Sequence, residues 1–287
     1  MVKSETAHKD EARGVKAAFS AAALAAFVLL FSACAGRTKS DSLINYTQTA
    51  EKQFSEAMDE FDDEDCATAE KLFSEVRKQF PYSRYAVLSE LRLADCQFIQ
   101  GNHAEAAVMY QQFVKMHPTH EEAHYAAYKQ GLSYYEMIPG DWKITPPPHE
   151  RDQAATRDAR AAFLYFLKTY ARSPWRDRAK ELLGEVVDAL VRHEIYVAEF
   201  YLHHDDRRAA AVRLEGISTG FPESTLVPDA MLLQAVTFME MDETAQAEKV
   251  LKEIIERFPR RYQSLRAKDY LQYLNLKRKS EKRGGNG

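Results

Sequence analysis

Apolar side chains in this chain recur three and four positions apart over most of its length, and five prolines punctuate the pattern. Pro81, Pro118, Pro174, Pro222 and Pro259 each follow one amphipathic run and precede another. Twelve residues before each proline stands an alanine: Ala69, Ala106, Ala162, Ala210 and Ala247. Eight before come Phe73, Tyr110, Phe166, Leu214 and Leu251, and five before come Val76, Phe113, Thr169, Ile217 and Ile254. Steps of four and three put each set on one face of a helix. Ala57, Ala94 and Ala235 stand twenty-four residues before the first, second and fifth prolines. Small residues suit a close helix crossing, bulky ones fill the neighbour's groove, and proline follows the helix end. This is the spacing of the tetratricopeptide (TPR) helix–turn–helix repeat. The predicted fold class is all-α: a TPR-like α-solenoid of about five such repeats plus a C-terminal capping helix.

The proline intervals are 37, 56, 48 and 37 residues, so the array is irregular. The longest holds a Pro-rich insertion at 139–150, whose Pro146-Pro147-Pro148 run favours an extended segment. The next reads as one long helix from about Arg176 to Leu202, with Leu182, Leu183, Val186, Val187, Leu190 and Val191 on a broad apolar face. A capping helix with a polar, basic outer surface is expected from Tyr262 to Lys279. The organisation expected is N-terminal repeats over 46–172, C-terminal repeats and cap over 173–280, and a disordered tail at 281–287.

The N-terminus departs from this periodicity. Lys3, Lys9, Arg13 and Lys16 precede fifteen uncharged residues, Ala17 to Phe31. A membrane-spanning helix needs about 20 apolar residues, so the run fits an export signal at 1–33 better than a permanent anchor. The following Phe31-Ser32-Ala33-Cys34 resembles a bacterial lipobox, with Phe31 where leucine is usual. Cys34 is thereby the candidate lipidation site and first residue of the mature chain, and two or more acyl chains anchor a protein stably. A short transmembrane anchor with an incidental cysteine is the competing reading. Residue 35 is alanine rather than the aspartate that retains many lipoproteins at the inner membrane, which favours the outer membrane. Residues 34–45 read as a polar, lipidated tether.

Composition narrows the chemistry. A hydrophobic share of 45% and a charged share of 29% describe a folded body, and a net charge of -4 provides no basic field for nucleic acid. The sequence contains no Gly-rich phosphate loop, no HExxH and no paired CxxC, so no catalytic residue, metal site or enzyme activity is expected. No cofactor is expected beyond the covalent lipid on Cys34. His203-His204-Asp205-Asp206 could in principle bind a metal but reads as a hydrated helix end, because neighbouring residues there diverge in direction. His120 and His124 have the spacing of two helical metal ligands, but the acids of His120-Glu121-Glu122 suit a helix N-terminus and a tetrahedral site needs further ligands. Cys66 and Cys96 fall in helices of adjacent repeats. They are either small packing residues or, in an oxidising compartment and with α-carbons within about 7 Å, a pair. Tyr82, Tyr85, Tyr110, Tyr125, Tyr128, Tyr134 and Tyr135 crowd the first half, divided between core and groove.

From Ser55 to Pro259 the chain resembles the BamD (ComL-like) family of TPR lipoproteins of the outer-membrane β-barrel assembly machinery. Glu194-Ile195-Tyr196-Val197-Ala198-Glu199-Phe200-Tyr201 and Arg213-Leu214-Glu215-Gly216 carry the resemblance most specifically. It implies a scaffold on the periplasmic side of the outer membrane that docks on POTRA domains of a BamA-like barrel-forming protein. It also implies help in inserting unfolded outer-membrane proteins, with accessory lipoproteins as further partners. Arg213 occupies the position of a family arginine that contributes to the POTRA contact, and Phe200 and Tyr201 join it as candidates. Tyr82, Tyr85 and Tyr128 are the candidates for a client-peptide groove. The alternative is another TPR lipoprotein that scaffolds cell-wall or secretion machinery.

Overall fold

The computed structural model describes residues 39–140 and 146–284, with side chains from Asn45 to Glu281. The signal segment 1–33, Cys34 and the middle of the Pro-rich insertion lie outside the described residues. Within them the chain forms eleven α-helices and one 3-10 turn, and no strand. Five antiparallel pairs follow one another: α1 (Lys39–Asp62) with α2 (Cys66–Gln79), α3 (Arg84–Ile99) with α4 (His103–Met116), and α5 (Ala123–Glu136) with α6 (Ala154–Thr169). Then come α7 (Arg176–His203) with α8 (Arg207–Gly220), α9 (Val227–Glu240) with α10 (Thr244–Arg257), and finally α11 (Tyr262–Gly284). Each helix packs on its predecessor and successor, and the first helices of neighbouring pairs also touch, α1 on α3 and α5 on α7. Among the described residues no helix is long and apolar enough to cross a membrane.

Two recurrent turns generate the array. Within the first, second, fourth and fifth pairs, the turn residue has positive φ: Glu64 at 62°, Gly101 at 80°, Asp205 at 61° and Asp242 at 58°. The next N–H reaches back five residues, from Asp65 to the Glu60 carbonyl and from Asp206 to that of Tyr201. This is a Schellman closure, which caps otherwise orphaned carbonyls. Asp65 and Asp206 then cap the following helix by accepting the N–H groups of Thr68 and Ala209. Between pairs, Phe80, His117, Tyr170, Phe221 and Phe258 end the second helices, each donating its N–H to the carbonyl four residues earlier.

That alignment corrects the repeat register at one point. In four repeats the proline directly follows the capping residue, but the third helix end is Tyr170, followed by Ala171, and Pro174 lies three residues downstream. The residues equivalent to Ala69, Phe73 and Val76 are therefore Ala159, Phe163 and Phe166, all fully buried, while Thr169 is exposed. The predicted triplets of the other four repeats are all 0–2% exposed. The small residue facing α6 is Gly131 on α5: a Cβ there would lie 2.7 Å from two ring atoms of Phe163. Ala198 on α7, fully buried, is the fourth repeat's small residue and matches Ala57, Ala94 and Ala235.

Three boundaries also shift. Helix α1 begins at Lys39, so the last residues of the expected tether are helical; Tyr46 packs edge-on against Phe80, tying its start to the body. Helix α11 runs through Gly284, past the expected tail boundary. Its outer surface is not simply polar and basic, because Tyr262, Leu265, Tyr273 and Leu276 are each more than half exposed on one face. The apolar core divides inside α7 rather than at 172/173. Residues up to Val187 pack with α3–α6, and Val191 and Ala198 pack with α8–α11.

Candidate partner-binding surface

The α7–α8 hairpin carries the residues singled out for partner contact. Phe200 is 51% exposed on α7, with its ring 5.9 Å from Tyr201 and 4.2 Å from His204. Tyr201 is half-buried against the C-terminal core, because it shares the face of Ala198 that meets α8. Arg213 on α8 is half exposed and donates from Nη1 to Glu194 Oε2 at 3.3 Å. Its partner Glu194 stands six and seven positions before Phe200 and Tyr201 on α7, about 9–10 Å along that helix. The structure thus places Phe200 and Tyr201 together and Arg213 apart from them. An exposed pair such as Arg213–Glu194 contributes no more than about 1 kcal/mol, so the guanidinium can exchange its partner for a carboxylate of another protein. Arg208, one turn before the exposed Val212, pairs with Glu243 at the N-cap of α10.

The three groove tyrosines separate. Tyr82 is 95% exposed in the turn after Pro81. Tyr85 and Tyr128 are each only 5% exposed and are corrected from groove to core. Tyr85 lies in the first turn of α3, where its ring meets Phe54 and its hydroxyl accepts from Arg84 at 2.6 Å. Tyr128 stacks on Trp175, with centroids 5.0 Å apart and planes within 10°. An open cavity of about 470 Å³ lies instead between α4 and α6 over α5, where Val114, Pro118, Tyr134 and Tyr165 provide an apolar lining.

A buried polar hub escaped the sequence reading. Asp95 on α3 is 3% exposed and accepts from the Tyr110 hydroxyl at 2.6 Å, the Tyr125 hydroxyl at 2.9 Å and Arg92 Nη1 at 2.5 Å. Burial, then the neighbouring Asp95 charge, pushes both tyrosine hydroxyls far above their ordinary pKa, so both stay protonated donors. Lys129 sits 3.4 Å from the centre of the Phe98 ring, and burial lowers its pKa. The only sequence signal was an acid at a helix position flanked by apolar residues on both sides. Its tyrosine donors come from α4 and α5, which the linear pattern does not connect to it.

The histidine and acid clusters have local partners. His203 and His204 bond through Nδ1 to the Glu199 and Phe200 carbonyls, and Asp205 and Asp206 form the turn described above. His120 Nδ1 accepts from the Glu122 N–H, and His124 Nδ1 meets the Ser173 hydroxyl at 3.2 Å. Among the described residues no three His, Cys, Asp or Glu side chains group as for a metal. The described end of the Pro-rich insertion forms a 3-10 turn at Pro148–Glu150. It is strapped to α7 by His193, which bonds the His149 carbonyl at 2.7 Å, and by the His149–Tyr196 ring contact.

Helical hairpins stacked in this way, joined by αL turns and presenting exposed aromatic and arginine side chains, define an α-solenoid scaffold of the TPR type. The sequence profile of YfiO, an outer membrane lipoprotein family, matches residues 47–254, and the chain belongs to that family. The outer membrane protein assembly factor BamD of Neisseria gonorrhoeae is 26% identical over 242 residues, covering 81% of this chain and 88% of its own. The Caulobacter vibrioides protein of the same name is 27% identical over 215 residues, covering 74% and 68%. Among solved structures, the TPR2AB domain of yeast Sti1 matches with a TM-score of 0.42 at 10% identity, covering 81% of this chain and 86% of that one.

Proposed function

We propose that this chain is an outer membrane protein assembly factor: a lipid-anchored scaffold on the periplasmic side of the outer membrane. In this reading its C-terminal repeats dock on a POTRA domain of the barrel-forming assembly protein, and it assists the insertion of unfolded outer-membrane proteins. The observation that carries the reading is the family match across 47–254, which spans all five helical pairs. The lipid sits on Cys34, and no further cofactor takes part. Arg213, Phe200 and Tyr201 form the POTRA-facing surface, extended by the exposed face of α11. Of the three tyrosines first considered for a client groove, Tyr82 alone keeps an exposed ring, and the role narrows to it. Accessory lipoproteins are further partners of the same scaffold.

Gentle membrane extraction and co-purification test the reading directly. Recovery of the barrel-forming assembly protein is expected; a preparation in which it is absent overturns the proposal. Cys34→Ser leaves an uncleaved or soluble precursor, and normal outer-membrane fractionation of that variant refutes the anchor. Arg213→Glu weakens binding to the isolated POTRA domains about tenfold or more, since like charges across an interface repel, with circular dichroism unchanged. An unaltered affinity removes Arg213 from the contact.

A further inference from the structure

Cys66 and Cys96 are the two cysteines of the described body, and both are buried, at 5% and 0% exposure. Cys66 is the first residue of α2 and Cys96 lies near the end of α3, so the two belong to different helical pairs. They share one small apolar cluster with Ala57, Ala69, Phe73 and Leu93. The two helices that carry them pack directly on each other, and both thiols belong to that one cluster. Nothing about packing requires this: a small apolar residue fills either position equally well. Two cysteines buried in one small cluster across an inter-repeat seam are positioned for a bond. Cys66, at a helix start next to the αL turn at Glu64, is placed to make it.

We propose that Cys66 and Cys96 form an intrachain disulfide that ties the first helical pair to the second when the chain folds against a disulfide oxidant. Its occurrence in the cell rests on the periplasmic reading above, because thiols persist in reducing compartments and pair in oxidising ones. In the chemistry, one cysteine thiolate attacks a disulfide such as oxidised glutathione and releases one glutathione thiolate. The second cysteine thiolate then attacks the mixed disulfide at the protein sulfur and releases the other. Two S–H bonds and one S–S bond are exchanged for one protein S–S bond and two glutathione thiols, so electrons and protons balance.

Timing follows from burial. Burial, and next the neighbouring Cys66, raises the Cys96 thiol well above its ordinary pKa, which makes a closed, reduced pair inert. The bond therefore forms before the first two pairs close, or when the first pair opens. That pair is the end of the array and has a neighbour on one side only, so it opens at lower cost than the interior ones. Once made, the bond closes a loop that the unfolded chain must keep, and so stabilises the N-terminal end.

The test is redox refolding of the full chain followed by non-reducing tryptic mapping. Denatured, reduced protein is refolded in a reduced and oxidised glutathione buffer, then blocked with N-ethylmaleimide. The expected product is a crosslinked pair of peptides, Gln53–Lys71 and Leu93–Lys115, that vanishes on reduction. Reduction also lowers the thermal midpoint by several degrees, and Cys96→Ser protein melts at the reduced value. Maleimide or glutathione adducts on both cysteines, with no crosslinked pair, overturn the proposal. The same map on protein extracted from its native membrane separates the two readings. Crosslinking in the buffer but free thiols in the membrane protein counts against the periplasmic placement and not against the pairing.

Discussion

Asp95 shows how a single side chain can organise a seam that hydrophobic periodicity alone describes as apolar. It receives three donors from three helices: Arg92 of its own α3, Tyr110 of α4 and Tyr125 of α5. Removing the acceptor strands them in a low-dielectric interior, so Asp95→Ala should cost about 3–5 kcal/mol. Tyr110→Phe removes one donor and leaves the carboxylate two, for about 1–2 kcal/mol. Urea unfolding of both variants checks the ranking; equal losses would mean the hub acts through packing alone. Gly131 fails in the opposite sense. A methyl group there meets the Phe163 ring at 2.7 Å, and that ring, fully buried, has little room to give. Gly131→Ala should therefore destabilise by about 1–3 kcal/mol through overpacking. The same substitution at Gly184, where a Cβ meets nothing within 4 Å, should stabilise slightly. The burial of Tyr110 was legible from its spacing to Pro118. Its hydroxyl's partner was not, since nothing in the sequence ties a helix position to an acid one helix earlier.

At the scale of the element, turns explain both the successes and the miss of the sequence reading. Four of the five proline registers are correct because proline directly follows the capping residue, where it stops the helix without needing an N–H. In the third repeat alanine takes that place, and Pro174 belongs to the entry of α7, so counting back from it lands one turn late. The period within α6 could have revealed this, since Ala159, Phe163 and Phe166 obey the same four-then-three step. The αL turns suggest a direct test. A non-glycine residue at positive φ costs roughly 1–2 kcal/mol, and glycine returns part of that gain as lost chain entropy. Glu64→Gly should thus raise stability by about 0.5–1 kcal/mol in urea unfolding, while Gly101→Glu lowers it. Asp188 adds a pH-dependent link between α7 and the α8–α9 turn. Burial acts to raise its pKa, but the Ser224 and Thr225 hydroxyls and the Thr225 N–H outweigh it, and the net shift is downward. A lowered folded pKa gives stability that is complete above the unfolded value near 4 and is lost as pH falls through the folded value. Solvent reaches this half-buried group, which limits the gain to about 1 kcal/mol. The stability gap between the native chain and Asp188→Asn should be constant from pH 5 to 7 and close below pH 4.

At the scale of the whole molecule, α7 is the member that joins the two largest apolar clusters of the described residues into one body. Its first half packs Leu182, Leu183, Val186 and Val187 into the cluster built by α3–α6, and its second half packs Val191 and Ala198 into that of α8–α11. A repeat array in which each pair contacts only its neighbours unfolds as coupled local units, and the strength of each coupling decides how many transitions appear. Here the coupling at the seam is a continuous helix backbone, supported by Asp188 bridging to the α8–α9 turn and by Arg160 of α6 bonding the Gly220 carbonyl and Glu223. The sequence made the long helix legible to within one residue of its end, but not its role, because its apolar face reads as one stripe whichever core it enters. Proline at residue 189 falls between Val187 and Val191, removes a helical hydrogen bond and clashes with the Glu185 carbonyl, at a cost of about 3 kcal/mol or more. Trp175 precedes that break and stacks on Tyr128 of the N-terminal core, so in protein carrying Trp142→Phe throughout, fluorescence follows that core while circular dichroism follows all the helices. In that protein the two urea midpoints should coincide. In Ala189→Pro they should separate, whereas Leu251→Ala, with a comparable cost confined to the C-terminal core, should separate them less. Coincident midpoints in the proline variant would mean that the flanking bridges, and not the helix, join the two halves.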